Sequence, residues 1–124
     1  MIKDIMLVAL GGGAGSALRY LVSRLFTSAL WLSLPLGTLV VNVTGCFVIG
    51  LVYGLTARGT AGNSVRLLLA TGLCGGFTTF STFSAENVSL MQEGCHLSAL
   101  IYVFLSVTLG LVAVAMGAWA AKIV

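Results

Sequence analysis

Gly72-Leu73-Cys74-Gly75-Gly76-Phe77-Thr78-Thr79-Phe80-Ser81-Thr82-Phe83-Ser84 decides how this chain is read. The stretch lies within a long apolar segment, where a glycine pair followed by five hydroxyl side chains is out of place. Gly75-Gly76 weakens a helix through backbone entropy. A lipid interior leaves no backbone polar group unsatisfied without a cost of several kcal/mol. A helix broken there must have its break buried in protein or lining a watery path. The stretch therefore predicts a broken membrane helix near Gly75–Thr79, and permeation rather than anchoring.

Composition supports the membrane. Of 124 residues, 59% are hydrophobic and 7% charged, with a mean hydropathy of +1.13; a soluble globular domain carries about 25% charged residues. The acids are Asp4, Glu86 and Glu93, and the bases Lys3, Arg19, Arg24, Arg58, Arg66 and Lys122. The net charge of +3 comes from residues scattered at segment ends, so no basic patch exists and no nucleic-acid partner is expected. Cys46 and Cys74 read as small buried hydrophobes, and Cys95-His96 lacks the further ligands of a zinc site. The lipid bilayer is the partner that composition demands.

Four segments follow outward from the quoted stretch, forming a single all-α transmembrane domain over residues 1–124. The first begins at Ile5–Leu18 and runs on to Leu25 or Phe26. Its short apolar core resembles a weak signal peptide, but the chain continues apolar after Arg24, so a retained helix is expected. Gly11 and Gly15, with Gly12 and Ser16 beside them, make small-residue steps for close helix approach. The same glycine-rich run lacks the final glycine of a dinucleotide fingerprint and the Lys-Ser/Thr of a phosphate loop. The second segment, Leu36–Leu55, is uncharged over about 30 Å, one hydrocarbon thickness. Pro35 stands at its start, where a missing N–H matters least. The third runs from Val65 to Met91 and holds the break; the fourth is Leu97–Ala121. Lys3, Arg58, Arg66 and Lys122 fall on one side, Arg19 and Arg24 on the other. That weak bias fits insertion in both orientations as well as a single topology.

Three segments carry stripes of hydrogen-bond donors. Asn42 shares a face with Thr38 and Gly45, and Tyr102 with Ser106 and Gly110. In the third segment Phe80 and Phe83 stand one turn apart, among Ser81, Thr82 and Ser84. Single hydroxyls of this kind usually glue helices together at about 0.6 kcal/mol each, but five around a glycine break read better as a track of donors. Acids are missing from the interiors of the first, second and fourth segments, whereas cation sites usually want carboxylates or carbonyls. Hydroxyls, an amide and the electropositive edges of phenyl rings suit a small, hard anion. Arg19, expensive at the midplane, is expected near a mouth, as a vestibule charge.

At these residues the chain resembles the small fluoride channels of the Fluc or CrcB family. The matching motifs are Gly12-Gly13-Ala14-Gly15 with Arg19-Tyr20; Gly37-Thr38 with Val41-Asn42, Gly45 and Gly50; and Gly72 with Gly75-Gly76-Phe77-Thr78-Thr79-Phe80-Ser81-Thr82-Phe83. Ser16 stands where alanine is expected. The resemblance spans nearly the full length and implies an antiparallel, dual-topology homodimer with two fluoride pores in the bacterial inner membrane. It implies ring edges of Phe80 and Phe83 in the pore, with Asn42 donating to fluoride. Ser81, Thr82, Ser84, Tyr102 and Ser106 would form the polar track. It also implies a central structural sodium ion on the backbone carbonyls of Gly75 and Thr78, which a two-fold axis would double to four ligands. Passive fluoride efflux is the expected function, with no enzymatic activity. The rivals are a proton-coupled four-helix drug exporter, which needs a first-helix glutamate missing here, and a non-conducting subunit of a larger complex.

Overall fold

The computed structural model describes residues 1–26, 30–31 and 34–124. Among the described residues four helical spans are long and apolar enough to cross a membrane: Ile2–Leu25, Leu36–Ala57, Asn63–Gln92 and His96–Ile123. The first is α1 and the second α2. Between them Leu30–Trp31 (β1) and Leu34–Pro35 (β2) pair antiparallel, Leu30 opposite Pro35 and Trp31 opposite Leu34. Pro35 is the N-cap of α2. The fold is an all-α integral membrane protein, as expected.

The third span is more divided than its sequence reads. It opens with α3 (Asn63–Val65), winds as a π-helix through Arg66–Cys74, and closes its first half with α4 (Gly75–Phe77). Thr78 and Thr79 are extended, and α5 (Phe80–Gln92) then resumes the helix. The break thus falls at Thr78-Thr79, at the end of the expected window, while Gly75 and Gly76 stay helical. Gly76 serves packing instead: a β-carbon there would overlap the backbone of Gly12.

Two seams hold the bundle. In one, α1 lies along the first half of the third span; β-carbons at Gly11 and Gly15 would collide with the carbonyls of Leu68 and Leu73. Small residues at this spacing let backbones approach, which supplies the packing that lipid withholds as a hydrophobic force. In the other, α2 runs along α6 (His96–Ile123), with Gly50 against Val114 and Gly117 against Phe47. Arg58 donates to the Ala121 carbonyl and so ties the loop after α2 to the last turn of α6.

Gly94 makes the turn from α5 into α6. Its φ of 80° closes a Schellman arrangement, with Cys95 N–H on the Leu90 carbonyl at 2.8 Å and Gly94 N–H on Met91 at 3.1 Å. This tight return packs α5 against α6 through a core of Leu34, Leu90, Ala99 and Tyr102, flanked by Phe83. Elsewhere the outer faces are apolar and exposed, including Leu10 and Leu21 of α1 and Leu100, Phe104 and Leu111 of α6, as lipid contact requires.

Candidate functional site

The break is stabilised from three directions. The Asn42 side chain of α2 engages the Thr79 backbone on both sides. Its Nδ2 donates to the Thr79 carbonyl at 3.1 Å, and Thr79 N–H donates to its Oδ1 at 2.8 Å. Thr79 is the N-cap of α5, its Oγ1 accepting from Thr82 N–H at 3.2 Å, as a hydroxyl N-cap should. Arg19 of α1 reaches the end of α4, where its Nε donates to the Gly76 carbonyl at 3.0 Å, joined by Ser16 Oγ at 3.4 Å. A cation there opposes the negative end of the first half-helix. Arg19 therefore reaches the end of α4, beside the break. Its charge is tolerable because it ends on a carbonyl that has lost its helical donor.

These bonds decide which carbonyls are released. In an unbroken helix Gly75 C=O would accept from Thr79 N–H, and Thr78 C=O from Thr82 N–H. Asn42 Oδ1 takes the first donor and Thr79 Oγ1 the second. The two carbonyls expected to hold sodium are thus ones whose helical partners have been diverted. Among the described residues no group of three or more His, Cys, Asp or Glu side chains could hold a metal ion, so a hard cation here has backbone oxygens to use. The donor chemistry fits sodium.

Two clefts flank α5. The first, about 350 Å³, is lined by Asn42, Gly45, Cys46, Ala70, Cys74, Gly75, Thr78, Thr79, Phe80, Phe83 and Ser106, among others. The structure thus gathers Asn42, both phenylalanines, Ser106 and the break around one space. Ser106 Oγ is buried there with no hydrogen-bond partner, so it is a donor still to be used. Phe80 is 79% exposed, and its ring centroid is 5.8 Å from that of Phe83. Asn42 lines the cleft, but its amide already works on the break.

The second cleft, about 570 Å³, is lined by Pro35, Ser81, Thr82, Ala85, Glu86, Ser89, Leu90 and Glu93. Ser81 and Thr82 therefore lie on the other side of α5 from Ser106, and the expected track is divided. Ser84 lines neither cleft. Phe83, Tyr102 and Glu86 span the divide: Phe83 meets the Tyr102 ring edge-on at 5.0 Å, and Tyr102 OH donates to Glu86 Oε1 at 3.1 Å. Tyr102 is fully buried, so its proton serves this carboxylate. Thr38 adjoins both groups.

Sequence reasoning left Glu86 without a partner and missed Thr79 as the centre of the break. The N-cap rule, a hydroxyl residue just before a helical run, would have found Thr79. The pairing of Asn42 with residue 79 has no local signal.

Four apolar spans, one opened at a hydrogen-bonded break that borders a cleft, define a small multi-pass membrane protein built to pass a solute. The chain belongs to the CrcB family: residues 6–118 match the model described as "CrcB-like protein, Camphor Resistance (CrcB)". A relative from Phocaeicola vulgatus, named "Fluoride-specific ion channel FluC", is 46% identical over 95% of this chain and 98% of its own length. Relatives of the same name come from Flavobacterium psychrophilum, 44% identical over 98% of each chain, and from Azobacteroides pseudotrichonymphae, 42% identical over 94% of each.

Proposed function

We infer that this protein is a fluoride-selective channel that lets fluoride flow passively across the bacterial inner membrane. The observation that carries the reading is the first cleft, where the unpartnered Ser106 hydroxyl, the Asn42 amide and the rings of Phe80 and Phe83 converge. Among the described residues no carboxylate lines that space. Fluoride is strongly hydrated, so a selective path must replace its water with fixed donors, and larger halides fail by size and by mismatch. The N-terminus of α5 opens at the same break, and its positive end favours an anion. Relatives named as fluoride channels support the same ion, and their bacterial sources support the location.

An antiparallel homodimer with two pores completes the reading. Irregular backbone at membrane depth persists only where protein or a cavity covers it. Around Gly75 a β-carbon would meet nothing within 4 Å, which leaves room for a second copy to lay its own break there. Gly75 and Thr78 of each copy would then hold a sodium ion, which supplies positive charge to opposed carbonyl dipoles. The near-balanced flanking charges fit both insertions.

Liposomes containing only the purified protein test the proposal by fluoride and chloride efflux. Rapid fluoride release without chloride release is expected, slowed in Phe83→Ile with the dimer intact. Equal release of both ions, or of neither from a folded dimer, overturns it. Replacing sodium by a bulky organic cation should lower the dimer's thermal midpoint; an unchanged midpoint removes the sodium from the proposal.

A further inference from the structure

The bases that the sequence scatters among segment ends are gathered by the fold at one end of the bundle. The Arg58 guanidinium donates to the Ala121 carbonyl, so it stands at the last turn of α6 beside Lys122, the next residue. The loop after Arg58 is short and folded back. Gly59 turns it at φ 75°, and the Thr60 and Ala61 N–H groups both donate to the Leu55 carbonyl, at 3.0 and 3.2 Å. Arg66 follows at the start of the third span, its N–H on the Gly62 carbonyl at 3.1 Å. Arg58, Arg66 and Lys122 are all exposed, and among the described residues none of them has an ion pair. Helix α1 runs parallel to the third span, Gly11 against Leu68 and Gly15 against Leu73, so Lys3 and Asp4 open at the same end. Asp4 already faces the N-terminal amine at 3.8 Å. Just inside this charged rim stand two exposed aromatics, Trp119 and Tyr53. Their helices touch at this depth, where a β-carbon on Gly54 would meet the Ala118 carbonyl at 3.2 Å.

We propose that this end of the bundle binds the headgroup of an anionic phospholipid, with Arg58 and Lys122 on its phosphate and Arg66 at its flank. Unpaired guanidinium and ammonium groups suit phosphate oxygens, Arg through its planar fork and Lys as a point charge. The order of residues along α6 is the order of groups in a lipid. Val112, Met116 and Trp119 fall on one face at i, i+4 and i+7 and are all exposed, which offers an acyl chain an apolar track. Trp119 marks the level where hydrocarbon gives way to headgroups, and Lys122 stands about one turn beyond it. A soluble anion would leave that track empty, whereas a phospholipid fills track and cations together. Zwitterionic headgroups carry their own cation and gain little from the three bases. The site needs only the membrane, whichever ion the protein passes. In an antiparallel pair each leaflet would meet one such site.

Trp119 itself reports on the site. The full chain with Trp31→Phe, which leaves Trp119 as the one tryptophan, is reconstituted in phosphatidylcholine bilayers at near-physiological salt. Part of the lipid is replaced by phosphatidylglycerol or phosphatidylcholine brominated near the glycerol end of its chains, and quenching of Trp119 gives the two relative affinities. Brominated phosphatidylglycerol is expected to quench at the lower mole fraction. Each base near an anionic headgroup is worth roughly a fivefold preference, so Lys122→Gln and Arg66→Gln should each cut it by about that factor. Arg24→Gln, at the opposite end, should leave it unchanged. Arg58→Gln also cuts the tie to α6; if it fails to fold by circular dichroism, the other two variants decide the matter. Equal quenching by the two lipids overturns the site. So does an equal loss in Arg24→Gln, which would show diffuse charge. Inorganic phosphate at matched ionic strength should leave the preference in place; if it abolishes it, a free anion is the occupant and the lipid is overturned. Fluoride efflux does not enter the readout, so failure of the channel reading would leave this result standing.

Discussion

Replacing Asn42 with alanine strips the break of both bonds that the side-chain amide makes to Thr79, at 3.1 and 2.8 Å. Each buried backbone group left without a partner costs about 1–3 kcal/mol in water-soluble proteins. Polar contacts within membranes average nearer 0.6 kcal/mol, because the freed group finds another partner. Here replacement partners are scarce. Thr79 is held extended between α4 and α5, and its own Oγ1 is engaged by Thr82 N–H. A loss of about 2 kcal/mol is expected, roughly 30-fold in the folded-to-unfolded ratio. Asn42→Asp should do no better, since it keeps an acceptor for Thr79 N–H but sets a second oxygen against the Thr79 carbonyl. The assay is equilibrium unfolding of the reconstituted protein by denaturant, run beside fluoride efflux. An alanine variant whose stability stays within about 0.5 kcal/mol of the parent would refute the clamp, whatever happened to conduction. A fall in both would show that amide and break act as one unit.

Arg19→Gln keeps a donor near the Gly76 carbonyl but removes the charge; a loss of about 1–2 kcal/mol is expected, below the full about 1.5–3 kcal/mol of a charged hydrogen bond because an amide donor remains, and urea unfolding should register it. Thr79→Val deletes the N-cap of α5 and should cost about 1 kcal/mol, whereas Thr79→Ser keeps it; equal midpoints for the two would contradict the cap. Gly15→Val places a side chain against the Leu73 carbonyl and forces α1 off the third span, at about 1–3 kcal/mol. Its yield of folded protein in detergent should drop sharply, while the same change at Gly13, which faces open space, should be tolerated.

Much of the fold was legible because membrane spans advertise themselves. Pro35 and the uncharged run after it fixed the start of α2, and the break announced itself through glycines and hydroxyls that lipid would otherwise reject. Within the expected window of 75–79 it settles at the far end because propensity and packing pull Gly76 in opposite directions. Glycine destabilises a helix in isolation, yet Gly76 permits contact with Gly12 that no larger residue allows. Asn42 and Thr79 are 37 residues apart, so their pairing is a property of the bundle alone. For the same reason the partner of Glu86 has no local signal: the turn at Gly94 brings Tyr102 over it. Residue types revealed the chemistry; which donors were already committed depended on neighbours distant in sequence.

The π-wound stretch Arg66–Cys74 makes the third span a rotational device. Each i→i+5 bond turns the chain through less angle per residue than an i→i+4 bond, and the deficit accumulates over the whole stretch. The direction in which Thr78 and Thr79 present themselves is therefore set upstream, by winding, before any side chain of the break takes part. Deleting one residue between 66 and 74, or tightening the stretch to ordinary α-helix, would swing the break about the helix axis without altering its sequence. Asn42 would face the wrong atoms, and a single helical wheel drawn through the span would miss the reason.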